Sequence, residues 1–140
     1  MVDCIFCKIV EGKIPSSKIY EDDLIYSFLD INPASKGHLL IIPKRHCENL
    51  NDLTNDELKA IFDLINKISN IIETVLETSS FNLLLNYGRE AGQVINHIHF
   101  HLIPRKKDDG LAISKWPFMK FSGEHLNEIA KFFREKLEAS

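Results

Sequence analysis

No stretch of this chain approaches the run of about eighteen apolar residues that a membrane-spanning helix needs, so no membrane partner is expected. Its start, Met-Val-Asp-Cys-Ile-Phe-Cys-Lys, lacks the basic head, apolar run and small-residue cleavage site of a secretory signal, and the expected location is cytoplasmic. Positive charge is not in surplus either: 17 Lys and Arg against 20 Asp and Glu leave a formal net charge of -3. A protein that neutralises a phosphate backbone usually shows a basic excess. No nucleic acid is therefore expected as partner, and any phosphate site must be a local pocket with specific donors. Three cysteines in a reducing compartment are no disulfide framework, so Cys4 and Cys7 need another account. Glycine and proline are sparse, 6 and 5 in 140 residues, and act as punctuation without linker or repeat. A single domain over residues 1–140 follows, near the commonest domain size.

What is present reads as short strands and two helices. Residues 24–31 are β-rich and aromatic, and Gly37-His-Leu-Leu-Ile-Ile-Pro43 is an apolar run closed by proline; both predict strands. Thr54-Asn-Asp-Glu57 has the form of a capping box. Beyond it Leu58, Ile61, Phe62, Ile65, Ile68, Ile72, Val75 and Leu76 recur at helical spacing, which predicts a long helix over residues 55–77. Residues 81–86 predict a further strand and 87–92 a polar turn. A second helix starts near Gly123, with Leu126, Ile129, Ala130, Phe133 and Leu137. Strand runs interrupted by one long helix and closed by another predict an α+β fold: an antiparallel sheet of about five strands with helices packed on one face.

The densest chemistry lies in residues 97–104, His-Ile-His-Phe-His-Leu-Ile-Pro, which hold three of the six histidines. Side chains alternate along a strand, so His97, His99 and His101 share one face while Ile98, Phe100 and Leu102 pack inward. A plain amphipathic strand would carry Thr, Ser or Lys at such positions. Imidazole instead titrates near neutrality, attacks phosphorus as the neutral base and binds metals. A catalytic zinc held by all three is hard to build. Residues two apart on a strand are only about 7 Å apart, so two can share a metal but three in a row are strained.

Three features converge: the histidine row, the run Lys36-Gly-His-Leu-Leu-Ile-Ile-Pro-Lys-Arg-His46, and Asn86 followed by Gly92-Gln93. Together they resemble the histidine triad family of nucleotide hydrolases and transferases over about residues 5–105, with the tail 106–140 outside the resemblance. The resemblance implies cleavage of a purine nucleotide at its α-phosphate, from a phosphoramidate or a dinucleoside polyphosphate, through a covalent nucleotidyl-histidine. His99 matches the nucleophile, its other ring nitrogen held by a backbone carbonyl of the same strand. His101 matches a donor to a phosphate oxygen, His97 the first triad member, and His38 a fourth histidine completing a relay. Asn86, Gly92 and Gln93 match phosphate-binding positions. Phe28, Asp30 and Ile31 match the nucleoside pocket, with Asp30 accepting from ribose, and Phe6 and Ile9 match apolar positions of the same pocket. Read without the resemblance, Asn86 and Gln93 serve equally as turn amides, Gly92 as a turn glycine, Phe28 and Ile31 as core, and His38 as a satisfied core histidine.

Cys4-x-x-Cys7 is two ligands of the four that tetrahedral zinc requires. Some members of the wider family bind structural zinc with such a pair, a histidine after the second strand and the first triad histidine, which here implies Cys4, Cys7, His46 and His97. The alternatives are reduced thiols or a redox pair. One departure stands out: where the phosphoramidate branch carries a serine after Gly-Gln, this chain has Val94. A nucleotide-binding or zinc-stabilised interaction protein with vestigial chemistry is therefore a second reading. A uridylyltransferase is disfavoured by His101, since glutamine is typical there. The resemblance also implies a symmetric homodimer through the long helix.

Overall fold

An apolar run with no polar residue at alternate positions suits a strand buried on both faces. The strand Leu39–Pro43 (β3) is such a run, buried at every position. In the computed structural model, which describes residues 3–113 and 115–140, it lies at the centre of a five-stranded antiparallel sheet. The other strands are β1 (Lys18–Glu21), β2 (Ile25–Leu29), β4 (Phe81–Leu85) and β5 (Phe100–Pro104), in the spatial order β1-β2-β3-β5-β4. Two single-turn 3-10 segments, Leu50–Asp52 and Arg89–Ala91, punctuate the loops.

One sheet face is covered by the helix α2 (Asn55–Leu76). The expected capping box is present: Thr54 Oγ1 accepts from Glu57 N at 3.1 Å and Glu57 Oε1 accepts from Thr54 N at 2.9 Å. These bonds satisfy amide groups that the helix itself leaves unpaired. The buried stripe Ile61, Leu64, Ile65, Ile68 and Ile72 packs with Ile25, Leu39, Ile41, Ile98, Phe100 and Leu102. The opposite face has a second core, in which Tyr26, Phe28, Leu40 and Ile42 meet Cys4, Phe6 and Ile9. The last three come from or abut a helix, α1 (Ile5–Val10), that the sequence reading did not foresee. At six residues it is too short to show a period.

Two expectations are corrected. The closing helix α3 (Gly123–Glu138) forms as predicted, capped by Ser122, whose hydroxyl accepts from His125 N at 3.0 Å. Yet it does not pack on the sheet: every one of its residues is exposed, so its apolar stripe has no place in either core. Amphipathic spacing states that a helix has an apolar side, not which surface covers it. The histidine row, in turn, is only partly regular strand. β5 begins at Phe100, and residues 97–99 lead into it, held by Ile98 N donating to Cys47 O at 2.8 Å. Alternation survives that change. Ile98, Phe100 and Leu102 enter the α2-side core, while His97 and His99, 0% and 6% exposed, are buried on the α1 side. Among the described residues, no helix is long and apolar enough to cross a membrane.

Candidate active site

Histidine chemistry depends on which ring nitrogen carries the proton, and here backbone groups decide it. His99 Nδ1 lies 2.7 Å from the carbonyl oxygen of His97. A carbonyl only accepts, so Nδ1 holds the proton and Nε2 keeps its lone pair. The backbone N–H of Ala34 donates to His38 Nδ1 at 2.9 Å, so in the neutral ring Nε2 of His38 bears the proton and donates it to His101 Nδ1, also at 2.9 Å. That leaves His101 with its proton on Nε2. His99 and His101 both line one cleft of about 430 Å³, so a bare nitrogen and an N–H donor stand side by side, ring centroids 5.0 Å apart.

Burial keeps these rings neutral. His99 is lowered below its ordinary value by desolvation, with the His97 carbonyl opposing, and His38 likewise, with Asp30 opposing. His101 is pushed down to about 4 by burial and then by the neighbouring His99 and His38. Much of the covering surface is Phe6, whose ring meets His99 edge-on at 5.0 Å and Phe28 at 5.6 Å.

The cleft gathers Phe6, Ile9, Phe28, Asp30, Ile31, Asn86 and Gly92 around these two histidines. Phe28 and Ile9 are at once core and cleft wall, so the two readings of such residues coincide here. Ile31 is a rim residue, 86% exposed. Asp30 accepts from Asn32 N at 2.8 Å and its other oxygen lies 3.6 Å from His38 Nε2. Gly92 has φ +94, a left-handed conformation that a side chain would strain. Gln93 stands apart from its expected phosphate contact. Its Oε1 accepts from Gly88 N at 2.8 Å and its Nε2 donates one N–H to Ile95 O at 3.0 Å, so the amide braces its own loop and does not line the cleft. The sequence reading missed Ile5, Ile14, Ser16 and Ile95, which also line the cleft; Ile5, Ile14 and Ser16 lie in or close to α1, and Ile95 precedes the histidine row.

The second constellation is Cys4, Cys7, His46 and His97, whose ligand atoms all lie within 4.8 Å of one another. Cys4 precedes α1 and its sulfur accepts from Cys7 N at 3.4 Å, one helical turn bringing both thiols together. His97 Nε2 donates to Pro43 O at 2.8 Å and His46 Nε2 to Glu48 at 3.2 Å, so both Nδ1 atoms are bare. They face sulfur: Cys4 to His97 at 3.4 Å, Cys7 to His46 at 3.3 Å and Cys7 to His97 at 3.7 Å. Ligand atoms around tetrahedral zinc lie roughly 3.3–3.8 Å apart, from Zn–S and Zn–N distances of about 2.3 and 2.0–2.1 Å. The donor set fits the ion. A redox or nucleophilic pair fits less well, because burial and Cys4 push the Cys7 thiol up to about 11, away from the reactive range. Asp30, His38 and His101 also cluster, but His38 Nε2 carries a proton and cannot ligate.

A family model described as the HIT domain matches residues 11–108, which span the cleft strands and the histidine row. The chain belongs to the histidine triad family. It is 40% identical over 139 residues to an adenosine 5'-monophosphoramidase of Candida albicans, covering 96% of this chain and 91% of that one. The crystal structure of a histidine triad nucleotide-binding protein from Candida albicans is similar with a TM-score of 0.85 at 38% identity, covering 98% and 99% of the two chains. A zinc-bound histidine triad family protein from Mycobacterium smegmatis gives a TM-score of 0.73 at 34% identity, covering 83% and 84%. In this histidine triad protein, Cys4, Cys7 and α3 lie outside the segment matched by the HIT model.

An unfolded chain takes up protons on histidine near 6.5, whereas these buried rings resist until lower pH, so stability falls as pH drops through that interval. By NMR titration His101 should show a midpoint near 4 and His99 one below 6.5, and the urea midpoint should decline from pH 6.5 towards 5. A midpoint at or above 6.5 for either ring would contradict the assignment.

Proposed function

We propose that this protein is a nucleotide hydrolase that cleaves at the α-phosphate of a purine nucleoside phosphoramidate or dinucleoside polyphosphate through a nucleotidyl-His99 intermediate, releasing an AMP-type product. The observation that carries the reading is the tautomer of His99: Nδ1–H tied to the His97 carbonyl at 2.7 Å, and a bare Nε2 in a nucleoside-sized cleft beside His101. The Nε2 lone pair forms a bond to phosphorus while the bond to the leaving group breaks, its electron pair leaving with that group. His101 Nε2–H, aimed by His38, donates to a phosphate oxygen as negative charge grows there. Water then attacks phosphorus, loses its proton to solvent, and returns His99 to the neutral imidazole. Asn86, whose amide has no hydrogen-bond partner among the described residues, and the Gly92 backbone hold the phosphate. Phe6, Ile9, Phe28 and Ile31 take the base, and Asp30 the ribose.

Similarity to an adenosine 5'-monophosphoramidase supports an adenylyl substrate. Val94, 89% exposed at the cleft lip, offers no proton to a leaving group. This favours leaving groups that depart with little help, and it is also the observation behind the second reading, a nucleotide binder with vestigial activity.

Zinc on Cys4, Cys7, His46 and His97 is structural in this reading. It ties the N-terminal segment carrying Phe6 and Ile9 to His97, whose carbonyl orients the nucleophile. A homodimer is supported by apolar residues left exposed along the flanks of α2, where Phe62, Ile71 and Val75 are 50%, 55% and 64% exposed, and by the bare stripe of α3.

His99→Ala should lower kcat by at least about a thousandfold and abolish protein labelling when the reaction with an α-labelled adenosine phosphoramidate is quenched. Turnover unchanged in that variant removes the covalent reading, and kcat/KM across phosphoramidates and dinucleoside polyphosphates ranks the leaving groups. Metal analysis of protein prepared without chelator should find one zinc per chain; a trace amount rejects the site. Light scattering should give twice the chain mass, and a monomer would remove the dimer.

A further inference from the structure

Two segments carry the histidines of the proposed zinc centre, residues 46–48 and 96–98, and they run side by side through Ile98 N donating to Cys47 O at 2.8 Å. The two rings are held very differently. His97 is fully buried and its Nε2 is fixed by the Pro43 carbonyl at 2.8 Å, so the fold itself sets its orientation. The His46 side chain is 21% exposed and lies outside both apolar cores. A ring in that setting can turn about its Cβ–Cγ bond and present the wrong edge to Cys7.

Besides the Cys7 sulfur at 3.3 Å from Nδ1 and the edge-on His97 ring at 5.3 Å, one carboxylate opposes that turn. Glu48 takes the His46 Nε2–H on one carboxylate oxygen at 3.2 Å, and on the other it accepts from the Asn96 amide of the neighbouring segment. Glu48 makes no ion pair with Lys or Arg among the described residues, so its two bonds are what it does. Building on the zinc reading, we propose that Glu48, steadied by Asn96, is the positioning residue of the metal centre, holding His46 with its bare Nδ1 towards Cys7. A carboxylate behind a metal-bound imidazole fixes both its tautomer and its orientation and makes the ligating nitrogen a stronger donor. The same carboxylate reaches the Asn96 side chain of the neighbouring segment, which holds the carboxylate itself in place behind His46.

The test uses the full chain, stripped of metal and titrated with zinc in competition with a chromophoric chelator. Glu48→Ala should bind zinc about ten- to a hundredfold more weakly than the parent protein. Glu48→Gln, which keeps an acceptor oxygen, should lose less, and Asn96→Ala should fall between. Glu135→Gln, which removes a surface carboxylate on α3 whose ion-pair partner is Lys131, should stay within twofold. In the stripped proteins, melting temperatures should agree, while the ¹⁵N shifts of His46 move from the single Nε2–H tautomer towards a mixture in Glu48→Ala and those of His97 do not. Equal, tight zinc binding by parent and Glu48→Ala overturns the role of Glu48 alone. No uptake by the parent protein overturns the zinc centre and this role together.

Discussion

Three imidazoles at the centre of this protein, those of His97, His99 and His38, are each pinned by a backbone group, and the rest of the site depends on that constraint. The Pro43 carbonyl accepts from Nε2–H of His97, the His97 carbonyl accepts from Nδ1–H of His99, and the Ala34 N–H donates to Nδ1 of His38. Backbone groups cannot change protonation at ordinary pH, so they act as fixed reference points from which each tautomer follows. A side-chain partner such as a carboxylate could switch; a peptide group cannot. The lone pair of His99 Nε2 is thereby left free by the path of the chain, with no side-chain base needed to bare it.

Burial supplies the other half. A buried polar side chain costs stability unless it is hydrogen-bonded, and every buried side-chain polar atom among the described residues has a partner. The same desolvation that would penalise charged imidazole keeps it neutral, and so nucleophilic. Phe6 links the two effects. It belongs to the α1-side core, lines the cleft and stacks edge-on against both His97 and His99. Stability and reactivity are here consequences of one packed ring.

The features legible in the sequence were those with a local cause. The Thr54–Glu57 box, the long stripe of α2 and the period of two at 97–102 each follow from neighbouring residues acting on one backbone. The apolar run at 39–43 was legible as a strand, and its burial on both faces explains why no polar residue interrupts it. Less legible features needed a partner distant in sequence. α1 is too short to display a period, and its cleft-lining residues were recognisable only by resemblance. The stripe on α3 gave no hint that neither core would receive it. Gln93 could have faced phosphate or its own loop, and only the positions of Gly88 and Ile95 decide between them. Glu48 was passed over because a carboxylate two residues after a histidine is common; its meaning comes from Asn96, 48 positions away.

The alternation that carries residues 97–102 into the sheet has a further consequence for how this chain can vary. The apolar side chains face the core under α2, and the imidazoles face the α1 side and its cleft, so neither side accepts the other's residues. Inserting or deleting a single residue there would reverse every side chain that follows, driving imidazoles into the aliphatic core and isoleucine and phenylalanine into the cleft. Substitutions in this stretch can be graded by size and polarity, but a change in its length cannot be graded at all. The count of residues between Pro43's partner and β5 is as much a part of the site as the histidines are.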